Sequence, residues 1–187
     1  MSDSLDHRDL AYMRQALDLA RNSPPRPSNF RVGAVLVDEA TNTVLSEGYT
    51  LELPGNTHAE QCCLMKLAEK HGVEEEGLPR LSEAALPRQL GLYTTMEPCS
   101  FRMSGNLPCV QRVLRLASAT PETTTPRQIT VYSGVTEPDT FVSKNTGRQT
   151  LEGAGIRFVH VAGLEDEILT VATAGHETKS GKSEEMK

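Results

Sequence analysis

Apolar residues recur every three to four positions at Leu10, Met13, Leu17 and Ala20. That spacing lines one face of a helix, so residues 6–22 are predicted to form an amphipathic helix. Pro24, Pro25 and Pro27 end it, because none can continue a helical hydrogen-bond ladder. Residues 30–39, FRVGAVLVDE, then give the nearly unbroken apolar run of a buried strand. A polar EATN turn leads into a second short strand around 44–47, and the two should form a hairpin.

Thr57 is placed to cap a helix over 58–71, with Leu64, Leu67 and Ala68 on its inner side and Gly72 to stop it. Residues 73–90 carry EEEG and two prolines with no clean period, and read as a surface insertion. LGLYTTM (90–96) is a short apolar strand. Val110, Val113, Leu114 and Ala117 mark a helix over 108–117, and TPETTTPR (120–127) is a loop. Residues 128–135 and 156–163 are strands separated by a turn and a short helix at 147–154, with a last helix at 164–174. Helices alternating with single strands predict a layered α/β domain, helices on both faces of one sheet, and the hairpin makes that sheet mixed, with about five strands. The organisation expected is one domain over 1–175 and a polar, disordered tail over 176–187.

Composition narrows the function. At 187 residues the chain suits one sizeable core. No apolar run approaches the roughly 18 to 20 residues of a membrane span, and the polar, acidic N-terminus is not a signal peptide, so the expected location is the cytosol. A net charge of -6 disfavours nucleic acid as a partner. Four cysteines in a reducing compartment are not a disulfide framework, which leaves metal binding or burial to explain them.

HAEQCC (58–63) and EPCSFRMSGNLPC (97–109) supply the candidate chemistry. Catalytic zinc takes three protein ligands and leaves a fourth position for water, and His58, Cys99 and Cys109 are the three proposed here. Each falls at a strand-to-helix crossing or in a first helical turn, where the helix dipole favours thiolate. Glu60, two residues past His58, is suited to move protons between an activated water, a ring nitrogen and a departing amine. H-x-E with P-C-x-x-C is the signature of zinc nucleobase deaminases, and the first half and both P-C pairs are present here. Here, though, nine residues separate the cysteines, and Gly105, Asn106 and Pro108 provide a turn and a helix start for the longer loop.

NFRVGAVLV, EGYTLELPGNTHAEQCCL, LYTTMEPCSFRMSGNLPCVQRVL and GVTEPDTFVSKNTGRQTLEGAGI resemble the riboflavin-pathway pyrimidine deaminases, most closely the deaminase part of the fungal enzyme, over about residues 8 to 175. The resemblance implies a three-layer α/β/α cytidine-deaminase-like fold, zinc (Zn2+), a homodimer, and deamination of a diaminopyrimidinone bearing a ribitylamino phosphate. Alternatives with the same metal chemistry are cytidine or deoxycytidylate deamination, and less well an adenosine deaminase acting on RNA. A different class is an inactive zinc-stabilised scaffold.

The candidate substrate-binding residues are Asn29, which matches a family asparagine that contacts substrate, together with Ala59, Glu97, Ser104 and Asn106. Each has a plainer reading as well. Asn29 can be a turn residue, Glu97 a buried partner for a neighbouring N–H, and Ser104 and Asn106 ordinary turn chemistry. Glu60 can simply offset a helix dipole, and Cys62 could close a four-ligand structural zinc site. Lys144 and Arg148 form either a phosphate clamp or a solvated surface pair. His7, His71, His160 and His176 receive no role.

Overall fold

Every residue of the first strand, β1 (Gly33–Asp38), is buried, which explains its unbroken apolar run. Ala34 and Leu36 point into one core while Val35 and Val37 point into another, so the strand is the central wall between two helical layers. The computed structural model describes residues 2–138 and 145–176, with side chains from His7 onward. Lys144 and, of the tail expected over 176–187, all but His176 lie outside the described residues.

β1 pairs antiparallel with β2 (Thr43–Tyr49) on one side and with β3 (Gln89–Met96) on the other. β4 (Gln128–Val135) and β5 (Arg157–His160) continue the sheet in parallel, giving the order β2-β1-β3-β4-β5. This is the mixed five-stranded sheet the pattern predicts. Helix α1 (Ser2–Ala20) and α5 (Glu165–Ala172) cover one face, through Met13, Leu17 and Ile168. Helices α2 (Ala59–Lys70), α3 (Cys109–Ala117) and α4 (Gly147–Gly153) cover the other, through Leu64, Val113 and Leu151. The result is the three-layer α/β/α sandwich. Among the described residues no helix is long and apolar enough to cross a membrane.

Two close approaches fix where α2 and α4 begin. A Cβ at Gly48 would come within 2.5 Å of the Ala59 carbonyl and the Cys63 nitrogen, so β2 accepts the first turn of α2 only because position 48 has no side chain. A Cβ at Gly147 would lie 2.1 Å from the Pro98 carbonyl, so the start of α4 rests directly on the segment after β3.

The structure corrects two expectations. Thr57 does not cap α2: its hydroxyl donates to the Leu53 carbonyl, and His58 occupies the N-cap with no side-chain hydrogen bond. The Thr57 hydroxyl instead closes the turn that delivers His58. Residues 73–90 are not merely a surface insertion. They contain a 3-10 helix (Glu75–Arg80), and Leu78 and Leu86 are fully buried in the α2/α3 core, each contributing on the order of 2 kcal/mol of burial. Short irregular turns carry no 3.6-residue period, so their apolar anchors escape a periodicity reading.

Candidate metal centre and active site

Three chain segments converge at the carboxyl end of β3. His58 is the N-cap of α2, Cys99 follows β3 after Glu97 and Pro98, and Cys109 is the first residue of α3. His58 Nδ1 lies 3.5 Å from Cys99 Sγ and 3.6 Å from Cys109 Sγ. The three donor atoms all lie within 4.8 Å of one another. One imidazole nitrogen from half-buried His58 and two sulfurs from buried cysteines make a donor set that suits zinc and leaves a fourth position open.

Cys62 is not a fourth ligand. It is fully buried one turn into α2, and a Cβ on Gly48 would meet its Cβ at 3.0 Å, so it packs against β2. Among the described residues the donor cluster consists of His58, Cys99 and Cys109.

The local backbone prepares the sulfurs for a cation. The Cys109 N–H, at the start of α3, donates to Cys99 Sγ at 3.4 Å. Cys99 is held well below the ordinary thiol range, at about 4, first because the Cys109 thiol donates to it and then because His58 lies beside it, against the opposing effect of burial. Cys109 is pushed up, chiefly by that same bond to Cys99 and by burial. The metal-free pair therefore holds one thiolate and one thiol.

Glu60 is 3% exposed and reaches the same centre. The Cys109 sulfur lies 3.3 Å from its Oε2, and Thr94 Oγ1 lies 3.3 Å from its Oε1. Burial, followed by the charge on Cys99, raises its pKa above the usual carboxylate range. Thr94, fully buried on β3, also donates to the Met96 carbonyl at 2.9 Å and so fixes where the Glu60 carboxyl can rest.

A cavity opens from this centre. Asn29, Glu97 and Ser104 line it together with His58, Glu60 and Cys99. Ala59 is not among the residues lining it, and its methyl is buried in the α2 core. Asn106 is not either, and its amide donates to the Asn56 carbonyl at 3.3 Å. The Glu97 carboxylate accepts the backbone N–H of Arg148 at 2.7 Å, the neighbouring-N–H role weighed for it. Arg148 turns its guanidinium to Glu152 at 3.0 Å and over the Phe158 ring, away from this cavity. His176 packs on Phe30, and its Nε2 lies 2.9 Å from the Asn29 carbonyl. His160 pairs with Glu165 on the surface.

Several lining residues escaped the sequence reading. Glu137, two residues past the end of β4, faces the metal donors, and burial together with the charge on Cys99 pushes it up to about 7. Its signal was a carboxylate just beyond the carboxyl end of a central strand, where sites on such sheets concentrate. Arg102, between Phe101 and Met103, also lines the cavity and is 6% exposed. Asn145 bolts the cysteine segment to α4: its Oδ1 accepts the Ser100 and Gly147 N–H groups at 3.0 Å each, and its Nδ2 donates to the Pro98 carbonyl at 3.2 Å.

This geometry agrees with the known proteins the chain resembles. Residues 6–120 match the cytidine and deoxycytidylate deaminase zinc-binding region. The diaminohydroxyphosphoribosylamino-pyrimidine deaminase of Schizosaccharomyces pombe is 35% identical over 168 residues, which are 90% of this chain and 36% of that protein. The chain thus spans about a third of the length of that curated relative. A crystal structure of Aspergillus oryzae Rib2 deaminase, a C-terminal deletion mutant in complex with DARIPP, is 47% identical with a TM-score of 0.78, covering 91% of this chain and 92% of that one. The Thermotoga maritima diaminohydroxyphosphoribosylaminopyrimidine deaminase/5-amino-6-(5-phosphoribosylamino)uracil reductase is 25% identical with a TM-score of 0.62, covering 89% of this chain and 40% of that one. The chain belongs to the cytidine and deoxycytidylate deaminase zinc-binding family.

Proposed function

We propose that this chain hydrolyses 2,5-diamino-6-(ribitylamino)pyrimidin-4(3H)-one 5'-phosphate to 5-amino-6-(ribitylamino)uracil 5'-phosphate and ammonia, a step of riboflavin biosynthesis. The observation that carries the reading is the meeting of a three-donor metal centre and one buried carboxyl, Glu60, in a single cavity. The similarity to a deaminase solved with DARIPP points to the substrate class.

His58, Cys99 and Cys109 would hold zinc, which when bound would supply a water activated for attack near neutral pH. Glu60 is placed to accept a proton from the water that adds to the amidine carbon and to deliver it to the adjacent ring nitrogen. A second transfer through the same carboxyl protonates the exocyclic amine, which leaves as ammonia while the carbonyl forms. One water is consumed and one ammonia released, so the carboxyl ends as it began. Its burial favours the protonated form needed midway. Asn29, Ser104 and the Glu97 segment form the walls against which the ring is oriented.

A structural zinc site has no use for Glu60, which argues against the inactive-scaffold reading. Four cysteines, none disulfide-bonded, suit a reducing compartment such as the cytosol. Phe101 and Met103, 57% and 81% exposed beside the cavity, suit burial by a second copy of the chain in a homodimer, which light scattering would test.

The function test is ammonia release from the ribitylaminopyrimidinone phosphate, with cytidine and deoxycytidylate run in parallel and zinc quantified in the same sample. Turnover of the first substrate alone is expected. Turnover of a cytosine substrate alone would keep the site and overturn the pathway, and zinc without turnover of any would return the scaffold reading.

A further inference from the structure

Among the side chains that line the cavity, three carboxylates, Glu60, Glu97 and Glu137, face a single guanidinium, Arg102. Arg102 lies in the loop between the two metal-donor cysteines, and its neighbours Phe101 and Met103 are exposed while it is buried. Its Nη1 donates to Gln61 Oε1 at 2.8 Å and its Nη2 to the Asn56 carbonyl. Its Nε is buried without a partner. Both acceptors are neutral, and no carboxylate pairs with Arg102 among the described residues.

A guanidinium is a permanent cation, and burying one without a counter-ion is expensive. The other buried arginines of the chain show how that cost is ordinarily met. Arg112 pairs with Glu75, both nearly buried. Arg127, which also has an unpartnered Nε, spends its guanidinium on three backbone carbonyls, those of Pro79, Leu81 and Leu86. Arg102 has neither a carboxylate nor a carbonyl cluster, yet it borders the cavity that takes the substrate.

We infer that Arg102 is the residue that recognises the phosphate of the substrate, supplying the counter-charge for a phosphomonoester from the loop between Cys99 and Cys109. The inference rests on the reading that the substrate is a phosphorylated pyrimidinone. Charge then orients the molecule along the cavity. The carboxyl groups of Glu60, Glu97 and Glu137 offer a phosphate no counter-charge on the wall they occupy, and Arg102 draws it, so the amidine end is left to the metal centre. Arg102 also bonds the cysteine loop to α2 through Gln61, so anion binding and the loop that carries the metal donors share one side chain.

The test compares wild type with Arg102→Gln and Arg102→Lys on the phosphorylated ribitylaminopyrimidinone and on the same compound without its phosphate, with zinc content and thermal unfolding checked for each. The preference of wild type for the phosphorylated substrate, in kcat/KM, should shrink roughly 10- to 100-fold in Arg102→Gln, mostly through KM, the span of a charge-assisted hydrogen bond. Arg102→Lys should retain part of it. If both substrates lose the same factor, Arg102 is only a latch for the loop and the inference is overturned.

A second measurement needs neither turnover nor a stable variant of one kind. Calorimetric titration of the zinc-loaded protein with ribose 5-phosphate should show binding weakened about tenfold or more in whichever Arg102 variant folds. Equal binding, or none to wild type, overturns the inference. Absence of turnover by wild type with phosphate binding intact would instead count against the proposed reaction and leave Arg102 as an anion site.

Discussion

Cys62 and Cys63 lie side by side on α2, whereas Cys99 and Cys109 face each other across a loop. All four thiols are buried and none is disulfide-bonded, yet the surroundings of Cys63 and of Cys99 drive those two in opposite directions. Burial pushes Cys63 up to about 12, with only a partial offset from Ser46. Cys99 is also buried, though less completely, and is held near 4, because the Cys109 thiol, His58 and the N–H that opens α3 all stabilise its charge. Burial by itself makes a cysteine inert, and donors arranged around it make it a ligand. One pair fills a core and the other can hold a metal.

The largest break in that comparison is Cys109→Ser. It removes a metal donor, and zinc content with ammonia release should both fall to background. Alkylation of the metal-free protein sharpens the same point: Cys99 should react at pH 6 and lose its reactivity as the pH falls through about 4, while Cys63, held near 12, stays unmodified throughout. Peptide mass mapping reads both.

Glu60→Gln comes next. The amide keeps shape and zinc but cannot carry the proton, so turnover should drop about 10²- to 10⁴-fold. It also has a sign that stability can read. The folded-state pKa of Glu60 lies above its unfolded value, so ionising it weakens the metal-free fold as the pH rises through the ordinary glutamate range toward the folded value. Metal-free Glu60→Gln should therefore melt higher than wild type above roughly pH 5, and the two curves should converge in acid.

Gly147→Ala tests whether the frame behind Cys99 is as tight as it looks. The added Cβ meets the Pro98 carbonyl, and overpacking of this kind costs about 1–3 kcal/mol. Denaturant unfolding should show that loss, and a chelator competition should show weaker zinc retention. The smallest effect is expected for Cys62→Ala, which should keep zinc and turnover and lose about 1 kcal/mol of stability from a small buried void. Loss of zinc in this variant would mean that Cys62 is a ligand and the centre is closed.

Much of the fold was legible because its signal is local. Leu10, Met13 and Leu17 announce α1 through their spacing, and the GAVLVD run announces a strand buried on both sides. The metal donors were legible for a related reason: His58, Cys99 and Cys109 are rare donor types set at the starts of helices or just past a strand. Thr57 misled because a hydroxyl before a helix can serve either the helix or the preceding turn, and here the Leu53 carbonyl takes it. Leu78 and Leu86 were missed because a 3-10 turn has no long period to reveal which side faces the core.

The sequence by itself announced the main helices and strands, the burial of β1, and the candidate donors His58, Cys99 and Cys109 with the candidate carboxyl Glu60. Only the tertiary structure decided which other groups share their cavity. Glu137 arrives from β4 and Arg102 from the cysteine loop, brought near His58 and Glu60 because the sheet order places β3 and β4 side by side and three helices start above them. Neighbour relations of that kind depend on how whole elements pack across large separations along the chain, and side-chain spacing within one element carries no record of them.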